Sequence, residues 1–87
     1  MTYRLRFTPA VNKQVSKLDR SVAARIKRFL VNLDLDDPRS SGKPLAGDKN
    51  LWRYRVGDHR ILAHISDEET RVLIVDIDHR RQVYRKK

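Results

Sequence analysis

The chain contains no cysteine, which excludes disulfide staples, thiolate metal sites and a cysteine nucleophile. No apolar run approaches the ~18–20 residues that a membrane helix requires. The first residues, Met1-Thr2-Tyr3-Arg4-Leu5, alternate in polarity, so no apolar leader is expected there. Acid is scarce: 11 Asp+Glu stand against 20 Lys+Arg, a net charge of +9. What is present, over 87 residues, is a 39% hydrophobic and 36% charged composition. That suffices for the modest core of one small domain spanning residues 1–87. The charge balance calls for a polyanionic or acidic partner, with nucleic acid first, an acidic protein second and a membrane surface last.

Tyr3, Leu5 and Phe7 alternate with Arg4 and Arg6, the period of a half-buried strand. Thr8-Pro9 is a helix start, and Val11, Val15 and Leu18 at i, i+4, i+7 predict a short amphipathic helix over 9–18. Asp19 or Ser21 can cap a second helix, whose stripe of Val22, Ile26, Phe29, Leu30 and Leu33 ends before Asp36-Asp37-Pro38. Residues 38–50 collect most of the turn formers and predict an ordered loop. Three strands then follow, around 52–56, 61–65 and 72–77, the last apolar on both faces like an interior strand. The order β-α-α-β-β-β predicts an α+β fold, a two-helix hairpin packed on a small antiparallel sheet.

A two-residue turn at Gly57-Asp58 fixes the register of the first hairpin. Val56 then faces His59, Arg55 faces Arg60, Tyr54 faces Ile61, and Arg53 faces Leu62. The apolar residues, Trp52, Tyr54, Val56, Ile61, Ala63 and Ile65, share one face, and Arg53, Arg55 and Arg60 share the other. Like charges directly opposed are destabilising unless an anion neutralises them, and guanidinium suits bidentate phosphate binding. The run His79-Arg80-Arg81-Gln82-Val83-Tyr84-Arg85-Lys86-Lys87 adds more cations and no acid. Tyr84 and Trp52 are aromatic surfaces on which a base can stack, although Trp52 and Tyr54 fit a core better. His64 is expected to be structural and His59 to flank the turn. Asp34, Asp36 and Asp37 lack the glycine and glutamate of a calcium loop. There is no P-loop, GxGxxG, HExxH or nucleophile elbow. On residues alone the chain is a binder of nucleic acid or of an acidic partner, with catalysis open.

Leu18, the linker Gly42-Lys43-Pro44-Leu45, the run from Trp52 to Leu62 with its Arg53, Arg55, Gly57-Asp58 and Arg60, and the closing Asp78-His79-Arg80 with Val83-Tyr84-Arg85 resemble the RelE/ParE toxin superfamily. The similarity covers nearly the whole chain in order and is closer to the RelE branch than to the ParE branch. It implies a microbial RNase-like fold and a type II toxin that cleaves mRNA in the ribosomal A site, a cytoplasmic activity that inhibits translation. It also implies neutralisation by a cognate, acidic, RelB-like antitoxin, and operator DNA bound through the toxin–antitoxin complex. No cofactor is expected.

By position, the resemblance puts Arg53 and Arg55 near the attacking 2′-hydroxyl and Arg60 on the scissile phosphate. It puts Arg80 at the leaving 5′-oxygen and Tyr84 against a base, while Lys43, Lys49, Arg81 and Arg85 are expected to hold RNA more loosely. The family commonly has lysines where this chain has Arg53 and Arg55. A crowded, desolvated lysine can lose its proton, whereas an arginine, with a pKa above ~12, is no base. His79 is therefore the expected titrating group, an imidazole ordinarily changing charge near ~6.5. The C-terminal helix of some family members is expected to be missing here or reduced to Arg85-Lys86-Lys87. A ParE-like inhibitor of DNA gyrase, or an inactive basic module that binds antitoxin and operator DNA, remain the alternatives.

Overall fold

In the computed structural model, which describes residues 2–79, the chain runs β1 (Arg4–Phe7), α1 (Pro9–Ser16), α2 (Arg20–Val31), β2 (Lys43–Leu45), β3 (Asp48–Val56), β4 (His59–Ser66) and β5 (Arg71–His79). The helices lie on one face of a five-stranded sheet ordered β1-β5-β4-β3-β2. The core between the layers is built from Val11, Ile26 and Leu30 of the helices and Tyr54, Ile61 and Ile74 of the sheet, among others. This is the α+β arrangement that the hydropathy pattern predicts.

The helix starts follow from the sequence. Thr8 is extended at the N-cap of α1, its hydroxyl oxygen accepts from the Val11 N–H at 3.2 Å, and Pro9 opens the first turn. Asp19 occupies the N-cap of α2 without a side-chain bond to it. Beyond α2 the acidic residues serve turns: the Asp36 N–H donates to Asp34 Oδ1, and the Thr2 hydroxyl donates to Asp36 Oδ1.

The sheet departs from expectation in three ways. First, it is mixed. β2 to β5 form an antiparallel meander, and β1 joins the remaining edge of β5 in parallel, with Leu5 beside Val72 and Phe7 beside Ile74. An alternating strand has the same polarity pattern in either direction, so nothing in residues 3–7 specifies parallel pairing. Second, part of the expected loop over 38–50 is strand: Lys43 pairs with Arg53 and Pro44 with Trp52. A sheet edge tolerates proline because no partner needs its missing N–H. Third, β5 carries a bulge. Ala63 pairs with Ile74 but Leu62 with Asp76, which leaves Val75 as an extra residue and returns Ile77 to the face of Val72 and Ile74. That is why Ile77 is buried with Val72 and Ile74 although it is an odd number of residues away from them.

The β3–β4 hairpin has the register expected of it, from Val56↔His59 through Arg53↔Leu62. Gly57 supplies the positive φ of the turn, +59°. Tyr54, Val56, Ile61, Ala63 and Ile65 are buried against the helices. Trp52 shares their face, partly buried, with the Arg39 guanidinium 5.6 Å from its ring centre.

Candidate nucleic-acid interface

Side chains of cross-strand partners share a face of the sheet, so the register places the cations. On the face away from the helices one row holds Lys43, Arg53 and Leu62, whose β5 partner Asp76 turns at the bulge to accept from Gln14 of α1, and the next holds Arg55, Arg60 and Asp78. Arg55 and Arg60 are directly opposed, which places their Cβ atoms about 4.5–5.5 Å apart. A third row holds Leu51, His64, Leu73 and Arg6. The outer face therefore carries a cationic end at the β2–β4 side and, beside it, a mixed row in which two leucines alternate with His64 and Arg6.

Among the described residues, the side chains of Lys43, Arg53, Arg55 and Arg60 have no ion pair and no hydrogen bond. Other cations do. Arg39 meets Asp67 at 3.0 Å and Arg71 meets Glu69 at 2.9 Å. The charge of the outer face is thus left for an external anion, apart from Asp78 in register beside Arg60. A cleft of about 150 Å³ opens there, lined by Ser41, Lys43, Arg53 and Arg55. Ser41 carried no signal in the sequence, because a serine beside Gly42 reads as a turn former.

The other expected residues divide into three groups. Lys49 is exposed on β3, four residues before Arg53 and so about 13 Å along the strand from it. Arg80, Arg81, Tyr84 and Arg85 lie outside the described residues. His79 is in register with His59, which is itself in register with Val56. The two imidazoles meet edge to face with centres 4.7 Å apart. His79 therefore stands with the helix-side row, whereas Arg60 and Asp78 stand on the outer face, and the structure does not bring His79 onto the arginine row. The imidazole that shares the outer face is His64, one row from Arg53.

Burial holds the His59 imidazole below its ordinary value of 6.5; the His79 ring and Arg25 add to this, and Asp58 opposes it. Folding therefore favours neutral His59. Its contribution is fully present above the unfolded value and is lost as pH falls through the depressed one. Melting temperatures at pH 7.5 and 5.5 check this: the acid-side loss is expected to be smaller in His59→Gln, which cannot titrate.

Behind the sheet a second depression lies between α2 and the β3–β4 hairpin, with Arg25 and Arg28 around a floor of Phe29, Leu33 and Val56. α2 has four basic residues, Arg20, Arg25, Lys27 and Arg28, and no acid. Among the described residues, no helix is long and apolar enough to cross a membrane.

The fold and site define a small basic α+β domain with an arginine face suited to an anionic partner, and comparison with known proteins supplies its family. The profile of the family described as ParE toxin of type II toxin–antitoxin system, parDE, matches residues 5–84. The chain is 33% identical over 87 residues to Toxin RelG of Mycobacterium tuberculosis, covering 99% of this chain and all of that one. It is 32% identical to Toxin RelE of the same organism, covering 95% and 87%. In structure it is similar to the crystallised toxin–antitoxin complex RelBE2 of M. tuberculosis, with a TM-score of 0.80 and 32% identity over 92% of this chain and all of that one. The chain belongs to the RelE/ParE superfamily and is a toxin of a type II toxin–antitoxin system, of the RelE family.

Proposed function

We propose that this toxin is a ribosome-dependent endoribonuclease that cleaves mRNA in the A site and so inhibits translation in the cytoplasm. The observation that carries the reading is the outer face, where Arg53, Arg55 and Arg60 share neighbouring rows with Lys43 and their side chains have no ion pair or hydrogen bond among the described residues. Cleavage forms a bond from the 2′-oxygen to phosphorus and breaks the bond from phosphorus to the 5′-oxygen. The 2′-hydroxyl gives up a proton and the 5′-oxygen gains one. Arg60 stabilises the equatorial oxygens as charge builds on them, and Arg80 assists the leaving oxygen. Tyr84 stacks on a base and fixes the in-line geometry. Lys49, Arg81 and Arg85 hold the strand electrostatically.

Arginine is a poor proton acceptor, and His79 is in register with the helix-side row. His64 shares the outer face but stands four residues from Arg60 along β4, about 13 Å away, so water or a ribosomal group accepts the 2′ proton, which gives a physical reason for dependence on the ribosome. No metal or cofactor takes part in this scheme. The partner is an acidic, RelB-like antitoxin, as the neighbouring RelBE2 complex suggests. Its carboxylates and apolar side chains complement the basic, apolar-floored surfaces described above. Operator DNA is bound through that complex.

Primer extension on a reporter message in a purified translation system tests the proposal. Cuts at the A-site codon only when ribosomes are present are expected. An intact message with gyrase-dependent DNA breaks would move the assignment to the ParE branch, whose profile the chain matches. Intact message and intact DNA together would leave a binding-only module.

A further inference from the structure

β1 ends at Phe7, in register with Ile74, and the Thr8 N–H donates to the Ile74 carbonyl at 3.2 Å. β5 runs on to His79, so from Val75 onward no strand of the described residues covers its β1 side. A backbone N–H held away from water there needs another acceptor, and the Gln14 side chain supplies it. Gln14 Oε1 accepts from the Ile77 N–H at 3.1 Å, and Gln14 Nε2 donates to Asp76 Oδ1 at 2.8 Å. Only this orientation of the amide sets donor against acceptor at both ends. The fully buried Val11, one turn earlier, anchors α1 and so places Gln14 at the strand. An aliphatic side chain at position 14 could pack α1 on the sheet, but it could meet neither the N–H nor the carboxylate.

Asp76 and Ile77 are the residues that the bulge moves. Pairing continued from Ala63↔Ile74 without an extra residue would set Asp76 opposite the fully buried Ile61, Ile77 opposite Arg60 and Asp78 opposite His59. In the bulged register Ile77 is buried, Asp78 stands opposite Arg60, and the His79 ring meets His59. Gln14 thus grips the two residues that would exchange faces if the bulge were lost, and a bulge re-aims every side chain that follows it.

We propose that Gln14 is a positioning residue of the cleavage site: its bonds to Asp76 and Ile77 hold the bulge of β5, which keeps Asp78 in the arginine row and sets the strand end that leads into Arg80. The inference rests on the nuclease reading for what that strand end does. The hold of Gln14 on the register stands apart from it. Gln14 touches no reacting atom; it is on α1, on the opposite side of the sheet from Arg60, and acts through β5.

The test pairs a register readout with a rate in the full chain. Gln14→Glu keeps the acceptor for Ile77 but sets a carboxylate against Asp76. Adding Asp76→Asn restores a donor–acceptor pair with its polarity reversed. In Gln14→Glu the proton NMR contact (NOE) between the His59 and His79 rings is expected to be lost, and in the double variant to return. The kcat for A-site cleavage is expected to fall about a hundredfold in Gln14→Glu, the cost of a ~1 Å misplacement at a reacting group. The KM for ribosomes is expected to stay within about twofold, and the double variant recovers the rate. Val11→Ala weakens α1 without touching the bulge, so below its melting temperature it keeps both the ring contact and kcat. An unchanged ring contact in Gln14→Glu, a lost contact with an unchanged kcat, or a double variant that recovers neither overturns the proposal. A wild-type chain that leaves ribosome-bound message intact, while the ring contact is lost and regained as expected, keeps Gln14 as the holder of the bulge and loses the nuclease reading. A chain that cuts, with Gln14→Glu as active as the wild type, does the reverse.

Discussion

Arg60→Ala is expected to lower the rate of A-site cleavage by at least about a hundredfold, the scale on which removing one transition-state charge donor acts. The melting temperature is expected to hold or rise. Both outcomes come from the same geometry. Arg60 is directly opposed to Arg55, and its side chain has no ion pair or hydrogen bond among the described residues, so truncating it relieves repulsion and leaves the strand's backbone pairing intact. A residue that served the fold would show the opposite, with stability falling and activity following it. Single-turnover primer extension on saturated ribosomes gives the rate, and thermal unfolding gives the stability. Full cleavage by a folded Arg60→Ala chain would remove Arg60 from the chemistry. Arg60→Lys supplies a second check: it keeps the charge but loses the bidentate fork, so partial activity is the expected result.

The hairpin that carries this site was readable because it is over-determined. Gly57-Asp58 sets the turn, and the alternation of Trp52, Tyr54 and Val56 with Arg53 and Arg55 admits one register, since a slip by one residue would bury the arginines. Thr8-Pro9 likewise announces α1 and caps it. Other elements leave weaker marks. β1 has the same alternation whether parallel or antiparallel. β2 is three residues with a proline in it, and only its partner β3 makes it a strand. The bulge at Val75 has no residue signature, because a valine there fits a regular strand equally well. It shifts the register of everything after it, so Asp78 falls beside Arg60 and His79 beside His59. A sequence reading that counts along an unbroken strand cannot place His79 on the correct face. Ser41 was hidden for a different reason: its position depends on Gly42 fitting against the buried ring of Tyr54, twelve residues further along the chain.

That buried ring gives the second large effect. Tyr54→Ala is expected to cost about 3–5 kcal/mol, as for other large aromatic deletions in cores. The loss is a substantial share of the ~5–15 kcal/mol that stabilises a domain of this size. Tyr54→Phe isolates the hydroxyl, with an expected loss of about 1–3 kcal/mol, since the Pro38 carbonyl loses the donor that satisfied it. Burial pushes the Tyr54 hydroxyl up to about 12, against a smaller opposing effect from Arg39, so it remains a donor throughout the neutral range. Because the folded value lies above the ordinary 10.0, the contribution is fully present below pH 10 and is lost as pH rises toward 12. Thermal unfolding at pH 8 and pH 11 reads this directly: the wild type is expected to lose stability over that interval and Tyr54→Phe to lose less. The same bond holds the segment from Pro38 to Gly42 on the sheet.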